Sequence, residues 1–403
     1  MSLSEAQLLE DVRQRLFSPL KSTTPRAVGV EIELIPIHAS TRLPALPRTN
    51  GALSTSSILS RLGKSEGWRE QSVENDPPSW KLPDGTSISF EPGGQIEISS
   101  APHATASSVI EATRALAERI QENMAAAAID LLTFGVDPYN GIDAVPLQLH
   151  RDRYARMTRY FDSIGPSGIR MMRQTAAIQI NLERGHEPRK RWTLLNALAP
   201  YLVALFANSR NYAGAPTGHA SFRAHLWRTL DNSRTGLPCD ATEPAVRYFA
   251  FALDAKAMQS SDGETPWLTF REWMRVESLT EEDWLFHLST LFPEVRPKEF
   301  FEIRSADAID SRQIAAPVVF VAGIVYDDES SAAATKLLGV PSERLLERAG
   351  QLGMTDLRIA KVLPRLIELA LKGAERMGTD YVGEPHLAVA REYFARVLAA
   401  NDI

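Results

Sequence analysis

FEPGGQIEIS, at residues 90–99, decides the fold class because it reads as two short strands joined by a tight turn. Gly93 and Gly94 suit the turn, and the isoleucines suit a strand that packs on a core. Residues i and i+2 of a strand point to the same face, so Gln95 and Glu97 face away from the isoleucines. Glu91 lies across the turn. The stretch therefore carries more oxygen atoms than a buried hairpin needs.

Three other strand-like segments carry polar side chains at the same i, i+2 spacing. AVGVEIELIPI, RMMRQTAAIQINLE and FPEVRPKEFFEIRSAD supply Glu31 with Glu33, Gln179 with Asn181, and Glu302 with Arg304. Each strand then has one apolar face and one oxygen-rich face, and strands that share a sheet form one polar floor. One such pair is typical of a solvated sheet face, but four pairs in one chain indicate a site.

The order of the segments predicts an α+β domain with a largely antiparallel sheet, because strands and helices do not alternate as steady βαβ units. Helices are predicted at 4–17, in TASSVIEATRALAERIQENMAAAAID, and in RKRWTLLNALAPYLVALFANS, the last kinked or split near Pro200. Ser107 or Ser108 is the predicted N-cap of the second helix. RMMRQTAAIQINLE is predicted as a strand, residues 208–240 as a long polar loop, and the chain after about 308 as mostly helical.

The chain is expected to form a single catalytic domain over residues 1–403, with a core at about 25–330 and a helical extension at about 331–403.

A formal net charge of -6 argues against a nucleic-acid partner. The longest apolar run, at 315–326, falls short of the about 18 residues that a membrane span needs. The N-terminus lacks the apolar block of a signal peptide, so a cytoplasmic protein with no membrane partner is expected. Cys239 is the one cysteine, which excludes an intramolecular disulfide and suits a reducing compartment.

Carboxylates on a shared floor repel one another, so the floor requires protons, basic side chains or cations. Oxygen donors from Glu, Gln and Asn suit a hard cation such as Mg²⁺, which typically recruits substrate phosphates. The arginines of 208–240 and of EVRPK are candidate anion ligands, because guanidinium pairs well with phosphate and carboxylate. The sequence contains neither phosphate-binding glycine motif, G-x-x-x-x-G-K-[ST] or G-x-G-x-x-G. A phosphate site in this chain therefore depends on metals and arginines.

Five segments resemble, in order, the motif blocks of glutamate–cysteine ligases. The similar group contains the plant enzymes, their proteobacterial relatives and the actinobacterial enzyme of ergothioneine synthesis. The segments are GVEIE, FEPGGQIEISSAP, MMRQTAAIQINL, FRAHLWRTLDNSRTGLP and HLSTLFPEVRPKEFFEIRSAD, which run from about residue 28 to 310. The resemblance implies a glutamine-synthetase-like fold, in which a curved, largely antiparallel sheet forms an open, funnel-shaped site.

The same resemblance implies an activity that uses ATP and Mg²⁺. The γ-carboxylate of L-glutamate attacks the γ-phosphate of ATP, and the amine of L-cysteine displaces phosphate from the resulting γ-glutamyl phosphate. The products are γ-glutamylcysteine, ADP and phosphate. By resemblance, the metal ligands are Glu31, Glu33, Glu91, Glu97 and Glu302; the substrate-binding residues are Gln179, Asn181, Arg223 and Arg234; the nucleotide-binding residues are Arg296, Lys298 and Arg304; and the catalytic residues are Arg234 and Arg304.

The sequence leaves three alternatives open. A ligase of the same architecture joins glutamate to a different amine, a phosphotransferase of that architecture makes a phosphorylated small molecule and no amide, and a non-catalytic protein binds only metal or nucleotide. A monomer and a homodimer are equally compatible with the sequence. The pathway served, whether glutathione, ergothioneine or another thiol, is not specified by these motifs.

Overall fold

A computed structural model describes residues 3–20, 26–48, 53–238, 243–259 and 267–401. Cys239, and with it the prediction about its redox environment, lies outside these residues. The strands are β1 (Val28–His38), β2 (Arg69–Gln71), β3 (Ser79–Lys81), β4 (Ser87–Phe90), β5 (Ile96–Ser99), β6 (Ile129–Leu132), β7 (Ala177–Glu183), β8 (Asn211–Tyr212), β9 (Ala215–Pro216), β10 (Thr235–Gly236), β11 (Phe292–Pro293), β12 (Val295–Pro297) and β13 (Phe300–Asp307).

The helices outnumber the strands and cover the C-terminal part of the chain, as predicted. They are α1 (Glu5–Asp11), which continues as a π-helix (Val12–Leu16), α2 (Thr55–Glu66), α3 (Ala106–Ala125), α4 (Asp152–Ile164), α5 (Pro166–Gln174), α6 (Pro188–Leu205), α7 (Phe222–Leu230), α8 (Pro244–Asp254), α9 (Phe270–Val276), α10 (Glu281–Ser289), α11 (Ala315–Val325), α12 (Asp328–Leu338), α13 (Glu343–Leu352), α14 (Leu357–Met377) and α15 (Glu384–Ala399). Short 3₁₀ turns lie at Ile142–Ala144, Ser311–Gln313 and Gly353–Thr355.

Nine of the described strands form one antiparallel sheet in the order β12–β13–β7–β1–β5–β4–β3–β2, with β6 pairing the end of β1. The four strands with polar pairs, β13, β7, β1 and β5, are consecutive in this order. Their register sets Glu33 opposite Glu97, Glu31 opposite Gln179, and Asn181 opposite Glu302. Opposite residues of an antiparallel pair share a face, so the polar pairs form the predicted floor.

Strand β13 contains a bulge beside the floor. It has two residues between Ile303 and Ala306, whereas β7 has one residue between their partners. Arg304 is one of the two residues in the bulge, and Asp307 at the end of the strand pairs with Ala177. The extra residue shifts the alternation of β13, because a bulge opposes two residues to one.

The reverse face of the sheet is apolar and packs on helices. Val30, Ile98, Ile180 and Ile303 are almost fully buried there, and α3, α6 and α11 contact strands β1, β13 and β7 respectively. Helix α11 buries all of its residues and also contacts α14 and α15. One hydrophobic core therefore joins the sheet to the C-terminal helices.

Two predicted segments have a different structure. The RMMRQ half of RMMRQTAAIQINLE belongs to α5, whose first residue is Pro166, and β7 begins only at Ala177. Proline at the first helical position is pre-organised for a helix, which explains the start of α5. Residues 208–238 are not one loop but contain the β8–β9 hairpin and α7, which Ser221 caps by accepting from the Ala224 amide.

Details of two helices also bear on the predictions. Helix α6 runs from Pro188 to Leu205 as one helix with Pro200 inside it, so it is not split there. The N-cap of α3 is Thr105, whose hydroxyl accepts from the Ser108 amide at 3.1 Å. Ser107 instead accepts a hydrogen bond from the Gly383 amide. No helix in the described part of the chain is both long enough and apolar enough to cross a membrane.

Candidate active site

A cavity of about 370 Å³ lies over the polar floor and is lined mainly by polar side chains. All five predicted metal ligands line it, as do most of the other predicted site residues. The predicted residues on its wall are Glu31, Glu33, Glu91, Glu97, Gln179, Arg223, Arg296, Lys298, Glu302 and Arg304. The structure therefore brings together residues that are up to 273 positions apart in the sequence.

The Gly-Gly turn brings Glu91 to the same cavity as Glu97. Gly94 has a φ of +93° and its amide donates to the Glu91 carbonyl at 2.8 Å. Gly93 approaches the chain before β7 so closely that a Cβ would lie 1.9 Å from the Arg173 carbonyl oxygen. Gln95 lines the cavity, but its amide accepts from the Gly93 amide and donates to the Thr175 carbonyl. Gln95 therefore fixes the turn against the start of β7.

Buried carboxylates give the floor an excess of negative charge. Burial raises the pKa of Glu31 to about 7, with the charges of Glu302 and Glu97 adding to the rise. Burial likewise raises the pKa of Glu33 to about 7, again with a contribution from Glu97. The pKa of Glu91 is raised well above its ordinary value by burial and then by Glu97 and Glu33. The floor therefore favours a proton or a cation.

Short hydrogen bonds hold these carboxylates in place. Asn181 Nδ2 donates to Glu31 Oε1 at 2.8 Å. The Ala177 amide donates to Glu33 Oε2 at 2.8 Å. Glu97 Oε1 accepts from the hydroxyls of Ser89 and Ser99 at 3.1 and 3.0 Å. Asn181 does not line the cavity, so its contact is with Glu31 and its predicted role in substrate binding is not a direct one in this structure.

Three basic residues, Arg296, Lys298 and Arg304, surround Glu302 and are called the cation cluster below. Arg304 Nη1 lies 2.6 Å from Glu302 Oε2, Arg296 Nε lies 3.3 Å from the same oxygen, and Lys298 Nζ bonds the other oxygen. Burial alone would raise the pKa of Glu302, but the charges of Arg296, Arg304 and Lys298 hold it well below its usual range. The cavity thus has an acidic side on β1 and β5 and a basic side on β12 and β13, with β7 between them.

Arg223 reaches the cavity from helix α7. Its side chain is buried, its Nη2 donates to the Arg304 carbonyl at 2.8 Å, and its Nη1 lies 3.8 Å from Asp307 Oδ1. Asp307 also accepts from the Ser209 and Ser221 hydroxyls at 2.7 and 2.9 Å. The arginine is therefore fixed by the end of β13 and by the N-terminal turn of α7.

Arg234 does not reach the cavity, which differs from its predicted contact with substrate. Its guanidinium is fully buried, with Nε on Asp231 Oδ2 at 2.8 Å, Nη1 on the Thr290 carbonyl at 2.9 Å, and Nη2 on the Lys256 carbonyl. It also lies 4.6 Å from the centre of the Tyr160 ring. These contacts occupy the guanidinium inside the protein, because a buried arginine requires nearby acceptors.

Other residues on the cavity wall were not among the predicted ones. They include Arg153, Tyr154, Met157, Met171, Met172, Trp227 and Phe292. Trp227 lies in the segment FRAHLWRTLDNSRTGLP, four residues after Arg223. Residues four apart on a helix are neighbours, so this spacing could have identified Trp227 as a site residue if the segment had been predicted as a helix. Arg153 and Tyr154 lie in a segment that resembles a charged surface helix, so the sequence gives no comparable signal. His287 does not line the cavity; it is buried, and its Nε2 lies 2.7 Å from the Ala252 carbonyl oxygen.

The donor atoms of the floor fit a magnesium ion. They are hard carboxylate and amide oxygens, and burial and mutual repulsion raise the pKa of several of the carboxylates. No three acidic, histidine or cysteine side chains of the described residues are close enough together to hold a metal ion in this conformation. Fewer than three such side chains suffice for Mg²⁺, which usually takes one or two carboxylates together with water and substrate phosphate.

Comparisons with known proteins identify relatives of this chain. The sequence profile of Glutamate-cysteine ligase family 2 matches residues 27–354. The chain is 32% identical over 340 residues to glutamate–cysteine ligase EgtA of Mycolicibacterium smegmatis, which covers 78% of this chain and 77% of that protein. It is 30% identical over 409 residues to the chloroplastic glutamate–cysteine ligase A of Oryza sativa subsp. japonica, which covers 95% of this chain and 81% of that protein.

Among solved structures, glutamate–cysteine ligase of Francisella tularensis in complex with AMP matches with a TM-score of 0.51 at 12% identity. The match covers 94% of this chain and 83% of that chain, and it shows a shared fold. The α+β class predicted from the polar strands is confirmed by the sheet and by this likeness. From the profile match and from its relatives, the chain belongs to glutamate–cysteine ligase family 2.

Proposed function

We propose that this protein is an ATP-dependent ligase that joins the γ-carboxylate of L-glutamate to the amine of L-cysteine through γ-glutamyl phosphate. The products are γ-glutamylcysteine, ADP and phosphate. The observation that carries the proposal is the single cavity in which an acidic floor adjoins the cation cluster. Polyphosphate and two carboxylates meet in this reaction, so the site requires both metal-binding oxygens and basic side chains.

The acidic side of the cavity is the proposed magnesium site. Glu31, Glu33, Glu91, Glu97 and Glu302 are the carboxylates that would hold the ions. Mg²⁺ supplies positive charge that offsets the repulsion between the floor and the phosphates of ATP. Asn181 orients Glu31 through its side-chain amide, in the way that hydrogen-bonded neighbours orient metal ligands.

The cation cluster is the proposed phosphate-binding side. Arg296 and Lys298 bind phosphate oxygens of the nucleotide, and Arg304 stabilises the charge of the phosphoryl group during transfer. Arg304 also donates to Gln179 Oε1 at 3.0 Å, so its position depends on β7. Arg223 and Gln179 bind the substrate glutamate from the wall of the same cavity, and Arg234 fixes the segment after α7 and does not touch substrate.

The amine acceptor is proposed to bind against the apolar part of the wall. Met157, Met171, Met172 and Phe292 line this part. Thioether and aromatic groups are polarizable and pack well on a small side chain that ends in sulfur. A charged acceptor would lose its hydration there without gaining a partner, which favours cysteine over a basic or acidic amino acid.

The decisive measurement is ADP formation with ATP, Mg²⁺ and L-glutamate, with and without L-cysteine, together with detection of the product by mass spectrometry. We expect ADP and γ-glutamylcysteine to accumulate together and only when Mg²⁺ is present. Turnover with alanine or another amine but not with cysteine would assign a different acceptor. A phosphorylated product without an amide would assign a phosphotransferase, and ATP binding without turnover under any substrate pair would assign a binding protein.

A pair of variants tests the proposed metal site. Glu97→Gln keeps the size of the side chain but removes a charge from the floor, so we expect kcat to fall by about 100-fold or more. Glu122→Gln, on the exposed side of α3, makes the same chemical change away from the cavity and serves as the control. Equal turnover in the two variants would remove Glu97 from the site.

A further inference from the structure

The side chain of Trp227 lies beside two arginines of the cavity. The Cζ atom of Arg223 is 4.8 Å from the centre of the Trp227 ring, and that of Arg304 is 5.4 Å from it. A cation within about 6 Å of an aromatic ring is attracted by the negative charge of the ring face. The indole is 6% exposed, so these contacts are formed largely away from water.

The two arginines form a buried pair of like charges. Arg223 donates to the Arg304 carbonyl, and both side chains line the cavity. Burial lowers the pKa of the Arg223 guanidinium, and the charge of Arg304 lowers it further, while Asp307 and Glu33 oppose both effects. The ion pair with Asp307 is long, at 3.8 Å, so it holds Arg223 less firmly than a direct hydrogen bond does.

Each of the two guanidinium groups has a buried nitrogen atom that makes no hydrogen bond within the described residues. Within the described residues, the buried Nε atoms of Arg223 and Arg304 have no hydrogen-bond acceptor. The aromatic ring of Trp227 therefore adds a contact that both groups otherwise lack. Its own position is fixed, because its Nε1 donates to the Phe292 carbonyl at 3.1 Å and because it lies one helical turn after Arg223 on α7.

We infer that Trp227 is a positioning residue that holds Arg223 and Arg304 apart and in place for the reaction. The indole ring stabilises two buried positive charges at once, and its bond to Phe292 ties them to the segment before β12. This inference deepens the proposed ligase function and rests on it for its kinetic consequences. Its structural consequence is that the side chains of Arg223 and Arg304 each hold one conformation, and this can be measured whether or not the protein has ligase activity.

The kinetic test uses Trp227→Leu, Trp227→Phe and a second substitution, Arg223→Lys. Trp227→Leu removes the aromatic face, and we expect kcat to fall by about 10- to 100-fold with a smaller change in KM for ATP. Trp227→Phe keeps an aromatic face and should recover part of the loss. Because Trp227 acts through Arg223 as well as through Arg304, the double variant Trp227→Leu with Arg223→Lys should lose less activity than the product of the two single losses. Multiplication of the two losses would overturn the inference.

Trp80→Leu is the matched control. Trp80 is a buried tryptophan on β3 that does not line the cavity, and its Nε1 also donates a hydrogen bond, to Glu70. This variant should lower the unfolding temperature as Trp227→Leu does. Its effect on kcat should be small, and it should combine with Arg223→Lys independently. A fall in kcat equal to that of Trp227→Leu would assign the loss to general destabilisation.

A second measurement separates this inference from the proposed function. In arginine labelled with ¹⁵N, the Nε–H signals of Arg223 and Arg304 are assigned by their loss in Arg223→Lys and Arg304→Lys. We expect both signals to be sharp in the wild type and to broaden or disappear in Trp227→Leu but not in Trp80→Leu. Unchanged signals in Trp227→Leu would overturn the inference even if the ligase activity is found. Absence of ligase activity with the expected signals would overturn only the proposed function.

Discussion

Glu31 and Glu302 are carboxylates of the same floor, yet their neighbours act on them in opposite ways. Glu31 lies among other carboxylates and its pKa is raised, whereas Glu302 lies among three cations and its pKa is lowered. Side chains on two strands of one sheet, separated by β7, therefore bind protons differently according to which charges surround them. Stored electrostatic strain of this kind is common at functional sites, where it is relieved by a ligand.

The raised pKa of Glu31 predicts a pH-dependent cost to folding. The folded state keeps a proton up to about pH 7 that the unfolded chain releases near its ordinary value of 4.5, so stability falls as pH rises through that window. Glu31→Gln removes this cost and should raise the free energy of unfolding at pH 8 by on the order of 1–3 kcal/mol. At pH 5 the gain should be small. Thermal unfolding in the presence of a chelator measures both values.

Glu302→Gln provides the contrasting case for that measurement. Because the pKa of Glu302 is lowered by the cation cluster, its charge stabilises the fold above its ordinary pKa, and that contribution is lost as pH falls below it. The variant should therefore be less stable than the wild type at pH 8. If both Glu31→Gln and Glu302→Gln raised the free energy of unfolding, the two carboxylates would not lie in environments of opposite charge.

At the scale of elements, alternation along the strands predicts the floor well. The i, i+2 pairs identify β1, β5, β7 and β13, and these strands are neighbours in the sheet. Helix boundaries are less well predicted, because α5 ends at Gln174 and β7 begins at Ala177, so only two residues separate the helix from the strand. Arg153 and Tyr154 on α4 were missed since their place at the cavity comes from packing between distant segments, which a local pattern does not encode. The burial of Arg234 away from the cavity also results from packing between distant segments, so the sequence did not predict it.

The N-cap of α3 is a second test at this scale. Thr105 accepts from the Ser108 amide, so Thr105→Ala removes one of the few partners of the first helical turn. We expect a loss of about 1 kcal/mol in the free energy of unfolding, measured in urea with an unchanged slope. Ser107→Ala and Ser108→Ala are the comparison, since these were the predicted caps. A larger loss for Ser108→Ala than for Thr105→Ala would contradict the observed cap.

At the scale of the whole molecule, the C-terminal helices are part of the hydrophobic core that supports the sheet. Helix α11 is buried on every side and contacts β7, α14 and α15. Helix α13 contacts α7, which carries Arg223. The sequence predicts that the C-terminal part of the chain is helical. It does not predict that α11 packs between the sheet and the last helices, because an apolar segment alone does not specify which elements it contacts.

Removal of α13, α14 and α15 should therefore abolish folding. A chain that ends at residue 338 exposes the apolar surface of α11, and exposure on this scale drives aggregation. We expect this chain to be insoluble, whereas a chain ending at residue 400 should give one cooperative calorimetric transition. A soluble shorter chain with a native-like circular dichroism spectrum would show that the sheet and α11 are stable without these helices.

The bulge in β13 determines how the length of that strand can vary. Glu302 and Asp307 are five positions apart, an odd separation that regular alternation assigns to opposite faces. The extra residue places both on the cavity side, where Asp307 supports Arg223. Deleting one residue between Ile303 and Ala306 would leave a separation of four, so a regular strand without the bulge would keep both carboxylates on the cavity side. In libraries built on this protein, a single deletion in this segment should therefore be tolerated only where it spares Arg304, which lines the cavity.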